Sequence, residues 1–303
     1  MSEPPDPPVP GVDPTSTDWV AITARNARSV QTTIGWIFWD PGAVGRYRAL
    51  GLHGPLGYLA ARAAPFAGAG PEAVSAAFGS ISPLGIGLVF AELGSAEAFL
   101  PYWEARNDAV LEGLAAFAPD ILDPLAEMGP DLWAVAERLP TAGRPFAASH
   151  LALPRPTDPV LSGWHAVNYL REWRGDTHWA IVAAQGLSGD EASILHNAWL
   201  GYEGDWLSVS RGNSPASIDD AWRSLAATGL AEGRSVTDAG LVLRQWIEDE
   251  TDRRTTRPWE LLGVHRSIEF AERFEPPCEL LLQRVDITAG ENYQPASRIR
   301  PRR

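Results

Sequence analysis

An all-α, mainly helical protein is predicted from three features of the sequence. Apolar residues recur at helical spacing through most of the chain, and no stretch alternates apolar and polar residues between hairpin turns. One short hairpin, between "LAATGLAEG" and "VTDAG", separates two of the helices. With 303 residues, 45% of them hydrophobic and 13 of them tryptophan, the chain can bury a large core. A mean hydropathy of -0.14 fits a chain that dissolves.

The opening "MSEPPDPPVPGVDPTSTD" has no basic start and no apolar run. Residues 1–16 are therefore expected as a disordered, proline-rich leader rather than a secretion signal, and a cytoplasmic location is the expectation. Helical spacing then covers 17–35, 42–50, 54–66, 71–79, 83–93, 95–117, 120–138 and 143–152, an N-terminal helical domain over 17–152. "LPRPTDP" at 153–159 interrupts the series and marks the boundary between halves. The second domain, 153–285, holds helices near 158–174, 177–185, 189–200, 204–211, 215–229, 237–256 and 259–285. Gly175 is expected to end one helix, with Asp176 capping the next. "SGDE" at 188–191 is a capping box, Gly201 a C-terminal stop, and Thr237 or Asp238 a helix start. Residues 286–303, ending "SRIRPRR", read as a flexible tail able to dock an acidic partner. No stretch approaches the roughly 18 apolar residues of a membrane helix.

Composition removes several chemistries. All 25 basic side chains are arginine, so no lysine is present to form a Schiff base, anchor pyridoxal phosphate or serve a P-loop. The single cysteine, Cys278, excludes disulfides within the chain and multi-cysteine metal clusters; beside an apolar run it reads as a buried, inert thiol.

The run "SPASIDDAWRSLAATGLAEGRSVTDAGLVLRQWIEDETDR" (214–253) resembles the recognition helix, wing and following helix of MarR-type winged-helix proteins. Leu225, Leu230, Val236 and Leu241 can fasten helix, wing and next helix into one core. Together with "GYLAARAAP" (57–65), "WHAVNYLREWRGDTHWA" (164–180), "LSGDEASILHNAW" (187–199) and "ETDRRTTRPWELLG" (250–263), it resembles a family of actinobacterial helical proteins labelled only as helix-turn-helix. The resemblance spans residues 17 to 285 and implies a winged-helix unit with a short β-hairpin wing. Members of that family typically carry "GDGH" and "HAxVYF"; here stand "GDTHW" (175–179) and "IGWIFW" (34–39), which bring tryptophans to both places and mark a reshaped relative.

A formal charge of -13 opposes binding to a polyanion or an anionic membrane. Residues 187–263 carry thirteen acidic side chains against seven arginines, a balance of -6, with Asp219 and Asp220 opening the would-be recognition helix. Arg211, Arg223 and Arg234 are the basic stripe that a DNA reader would use.

The charged run "REWRGDTHW" holds the candidate site. His165, Asn168 and Glu172 or Arg171 share one helical face, and His196 can approach it from the next helix. Arg62, among small apolar residues, needs an acidic partner, Asp176 or Glu172, or an anionic ligand. Asp176 is the expected base or orienter, and His178 or His196 the proton carrier. Arg62 or Arg171 is the anion anchor, with His165, Trp164 and Trp179 as further lining and Trp199 as another pocket tryptophan. No HxxxH spacing supports a metal, and no cofactor is implied.

The reading that follows is a winged-helix scaffold turned from DNA to a small molecule, free or carrier-linked. Its chemistry would be cofactor-independent acid/base catalysis, such as intramolecular displacement or ring closure, in actinobacterial secondary metabolism. The alternatives are a MarR-like, ligand-responsive regulator and a non-catalytic partner subunit. A homodimer through 237–285, or a small protein partner, is compatible with each.

Overall fold

The computed structural model describes residues 17–289, so the expected leader and residues 290–303 of the expected tail lie outside the described residues. The helices, in order, are α1 (Trp19–Gly35), α2 (Pro41–Ala49), α3 (Pro55–Ala63), α4 (Pro71–Phe78), α5 (Pro83–Leu93), α6 (Leu100–Phe117), α7 (Leu122–Ala136) and α8 (Pro145–Leu151). There follow α9 (Pro159–Ala184), α10 (Gly189–Trp199), α11 (Trp206–Ser210), α12 (Pro215–Ala227), strands β1 (Ala231–Glu232) and β2 (Ser235–Val236), α13 (Asp238–Arg254), α14 (Arg257–Leu262) and α15 (Val264–Ala289). The all-α expectation holds, with one two-residue hairpin pairing Ala231 with Val236 and Glu232 with Ser235.

Proline fixes many of the helix starts, because its missing N–H is not needed in the first turn. Side-chain caps fix others. Asp18 accepts from the Ala21 N–H, Asp158 from Leu161 and Thr237 from Gly240. The Ser188–Glu191 capping box forms in both directions.

Two expected boundaries differ. Gly175 does not break its helix: α9 runs unbroken for 26 residues. A mid-helix glycine costs only about 1 kcal/mol, and burial of Trp173, Asp176 and Thr177 on either side holds the turn. Conversely, the span expected as one helix over 259–285 divides at Gly263, whose φ of 87° a side-chain-bearing residue rarely adopts. The second piece, α15, then passes through Pro276 and Pro277.

One large core joins α1 to α9 with α14 and α15. Helices α7 and α9 cross almost in backbone contact, since a Cβ on Gly163 would lie 1.9 Å from the Leu125 carbonyl oxygen. The last long helix returns to the first: Asn26 donates to the Ser267 carbonyl, and Arg25 pairs with Glu275. Cys278 is buried there against Thr33, and burial pushes its thiol up to about 12.

A second, smaller core knits α10, α12 and the hairpin. Leu225, Leu230 and Val236 meet in it around Ile194, Ile218 and Trp222, and Leu243 joins them from α13. Leu241 instead packs with Trp199, Leu200 and Leu207. The hairpin is held hard against α13, where a Cβ on Gly240 would fall 2.5 Å from the Leu230 carbonyl. Among the described residues no single helix is long and apolar enough to cross a membrane.

Candidate functional site

Helix α9 belongs to both halves, and along its length one face turns from the large core to a cavity. The cavity, ≈ 530 Å³, lies between α1, α3 and α9 on one side and α10, α11 and α13 on the other, with Leu282 and Val285 of α15 closing an end. That volume is in the range of small-molecule sites. Trp36, Tyr58, Phe78, Trp179 and Trp199 supply aromatic wall.

Arginine dominates its polar lining. Arg62, Arg171, Arg174, Arg211 and Arg244 line it, against Glu172 and Glu248. At one end Arg62 reaches Glu172 at 3.0 Å, and Arg171 bonds both Glu172 and the Gln31 side chain. The Arg62 guanidinium also lies 4.2 Å from the centre of the Phe78 ring. Burial acts to raise the Glu172 carboxyl, but Arg171 and Arg62 outweigh it and hold it down at about 2. At the other end Arg174 bonds Glu248 at 2.8 Å and Asp252 at 2.7 Å, and Arg244 bonds Glu248 at 2.8 Å. Arg211 donates to the Ser193 hydroxyl at 2.7 Å.

Two histidines stand in the same wall, each with its tautomer set by a neighbour. The Thr251 hydroxyl gives its proton to the Ile247 carbonyl, so it accepts from Nδ1 of His178 at 3.1 Å, leaving Nε2 with the lone pair. Nδ1 of His196 accepts from Arg244, leaving the proton on Nε2. Burial, then the charge of Arg244, drives both below the ordinary imidazole range, His178 to about 3. At neutral pH the wall therefore presents one uncharged acceptor and one uncharged donor.

Three buried side-chain atoms of this wall, Trp36 Nε1, Arg174 Nε and Arg244 Nη1, have no hydrogen-bond partner among the described residues. All three are donors. A buried donor left unmade costs on the order of 1–3 kcal/mol, so the wall is built for an acceptor.

Of the residues expected in the site, Arg62, Arg171, His178, His196, Trp179 and Trp199 line the cavity, with Glu172 between the two arginines. Arg62 takes Glu172 as its partner. Asp176, His165 and Trp164 do not line the cavity. Asp176 points out of the cavity at the start of α8, where it accepts the Ala147 N–H at 2.9 Å. It caps a neighbouring helix rather than its own, since α9 has no break for it to cap. Its carboxyl is pushed up to about 6 by burial, which the Ala147 N–H only partly offsets. His165 bonds the Asn107 side chain at 2.9 Å, and Trp164 donates to the Thr33 carbonyl, both within the large core.

Sequence reasoning missed Arg174, Arg244 and Glu248. Their spacing held the information: residues 171, 174 and 178 share a helical face once α9 is continuous, and Arg244 and Glu248 are one turn apart. Trp36, expected in the core with most of the tryptophans, lines the cavity as well; "IGWIFW" forms a 3₁₀ turn, Trp36–Trp39, with no periodicity to follow.

Helices α10 to α12, the hairpin and α13 make a helix-turn-helix with a short wing. The model of the helix-turn-helix family matches residues 23–288. The chain belongs to the helix-turn-helix family. No curated protein and no solved structure matches it.

In this helix-turn-helix protein the outward face of α12 is acidic. Asp219, Asp220 and Arg223 are exposed there, with Arg223 paired to Asp220. Arg234 of the hairpin is held by Asp205 and Asp219. The third arginine of the would-be basic stripe, Arg211, faces the cavity.

Proposed function

We propose that this chain binds a small anionic molecule with an apolar body in the cavity beneath its helix-turn-helix. The observation that carries it is the arginine-rich wall: five arginines against two glutamates, with the partnerless N–H groups of Trp36, Arg174 and Arg244 buried in it. In a chain of net charge -13, a cavity of opposite sign is a built feature. Aromatic walls supply the apolar contact.

Acid/base catalysis on the bound molecule is a second reading, and one observation favours it. The Nε2 lone pair of His178 and the Nε2–H of His196 stand in the same wall with opposite hydrogen-bonding character. Their uncharged state favours polarising or orienting the ligand over abstracting a proton, because a base works best with a pKa near the working pH. On this reading Asp176 acts through α8, not on the ligand.

Tryptophan fluorescence titration tests binding, with 2-naphthoate set against 2-naphthylmethanol as probes of equal body and different charge. Saturable quenching by the acid, and weak or absent quenching by the alcohol, is the expected result. Equal response to both, or to neither, removes the anion from the proposal.

A further inference from the structure

Resting on that reading, we propose that the bound acid carries a hydroxyl close to its carboxylate, as a 2-hydroxy acid does. The groups that would meet it are tied into one cluster by hydrogen bonds. On α13, Glu248 takes Arg174 of α9 on one carboxylate oxygen and Arg244 on the other, and Arg244 donates to Nδ1 of His196 on α10. His178, one turn beyond Arg174 on α9, bonds Thr251, one turn beyond Glu248 on α13. Each histidine thus commits one ring nitrogen to the cluster and leaves the other over. Neither Nε2 is bonded by a described residue, and both rings stand in the cavity wall.

Three of the positions left open in this cluster donate: Nε2–H of His196, Nε–H of Arg174 and an Nη1–H of Arg244. The fourth, Nε2 of His178, accepts, because the ring proton is committed to Thr251 through Nδ1. It keeps that character at neutral pH, since burial and then Arg244 hold the ring down at about 3. A plain carboxylate brings acceptors only. It serves the three donors but leaves the His178 lone pair unmet beside its own, and an unmade buried acceptor is costly. A hydroxyl beside the carboxylate removes that mismatch by donating to Nε2. Its place is close to the anion, because Arg174 and His178 are i, i+4 neighbours with Cβ atoms about 5–6 Å apart. The Trp199 ring centre lies 5.6 Å from that of His196 and 4.6 Å from the Arg244 guanidinium carbon, which sets the apolar body against the same cluster.

Calorimetric titration of the full chain decides the matter, with 2-naphthylacetate, both enantiomers of its α-hydroxy derivative, its α-methoxy derivative and the neutral 2-(2-naphthyl)ethanol as probes. The better hydroxy enantiomer is expected to bind about fivefold or more tighter than the parent acid, the worth of one neutral hydrogen bond. The methoxy acid, which has no proton to donate, is expected to bind no better than the parent. His178→Phe removes the acceptor and is expected to abolish the preference for the hydroxyl. Should that variant fail to fold, the order of hydroxy, parent and methoxy acids on the unaltered protein carries the test alone. A hydroxy acid no tighter than its parent, a methoxy acid that matches it, or a preference that survives in folded His178→Phe would overturn the hydroxyl while leaving anion binding intact. Failure of every acid to bind better than the alcohol would overturn anion binding itself.

Discussion

Arg244 donates twice to Nδ1 of His196, from Nε at 2.9 Å and from Nη2 at 2.6 Å. A cation in that position forbids a second proton on the ring, and His196 is neutral far below the ordinary imidazole range through burial and this contact. His165 is likewise depressed by burial, His178 to about 3 and His150 to about 4. In the unfolded chain the same rings titrate near 6.5. Unfolding therefore takes up protons below that pH, so this stability is complete above it and is lost as the pH falls. Each ring contributes up to about 1.4 kcal/mol per pH unit. Urea unfolding from about pH 6.5 to about pH 5 should show a steep loss, and His178→Gln should flatten it by about one proton; an unchanged slope in the variant would contradict the assignment.

Glu172 and Arg106 are both buried charges, yet their removal should differ. Glu172 holds Arg62 and Arg171, so Glu172→Ala strands two guanidinium groups and should cost about 3–5 kcal/mol. Among the described residues Arg106 has no carboxylate partner and its Nε and Nη2 are unmet; it lies between the rings of Trp103 and Trp164 at 4.0 and 4.9 Å. Arg106→Met keeps the stacking volume and frees no counter-charge, so the change should stay under about 1.5 kcal/mol. A larger loss from Arg106→Met than from Glu172→Ala in urea unfolding would reverse this picture.

Asp176 gives a pH effect of the opposite sign. Its folded carboxyl titrates at about 6, above the ordinary 3.8, so the fold prefers the protonated acid and its contribution worsens as pH rises through that window. Asparagine can still accept the Ala147 N–H. Asp176→Asn should therefore gain on the parent by about 2 kcal/mol between about pH 4 and about pH 8. A difference that does not change with pH would show that the carboxyl is not held up by burial.

Helix positions and the helix-turn-helix core were largely readable because both rest on local spacing. Ser188, Thr237 and the Leu225–Leu230–Val236 set each act within a turn or two of chain. The cavity was only partly readable. Arg62, Arg171, His178 and His196 stood out as charged residues in apolar company, but which face of α9 each occupies depends on Gly175 remaining helical. Reading a break there rotated Asp176 into the site. Tertiary packing around Trp173 and Thr177 overrides the weak helix preference of glycine, and no single-residue propensity reports that.

Two glycines of α9 should accordingly respond in opposite directions to alanine. At Gly163 the new Cβ would sit 1.9 Å from the Leu125 oxygen, and backbone on both sides cannot yield without parting α7 from α9. Gly163→Ala should destabilise by about 3 kcal/mol or more. At Gly175 the methyl enters free space in a regular helix, and Gly175→Ala should stabilise by about 1 kcal/mol. Thermal or urea unfolding of the pair checks both, and destabilisation by Gly175→Ala would restore the broken helix.

The last expectation concerns DNA. A winged helix that reads a duplex lays its recognition helix along phosphates and needs unopposed positive charge there. On α12 the exposed Asp219 and Asp220 occupy that face, and they or Asp205 engage both Arg223 and Arg234. Approach of a duplex would bring two carboxylates toward its phosphates before any arginine was released. In a gel shift at low salt the protein should leave duplex DNA unshifted. Replacing both carboxylates, Asp219→Asn with Asp220→Asn, removes the repulsion, frees Arg223 from Asp220 and leaves Arg234 with Asp205 as its carboxylate. That double variant should acquire weak, sequence-independent binding that fades steeply as salt is added. Binding by the unaltered protein with the same steep salt dependence would return the helix-turn-helix to DNA and leave its cavity a regulatory site.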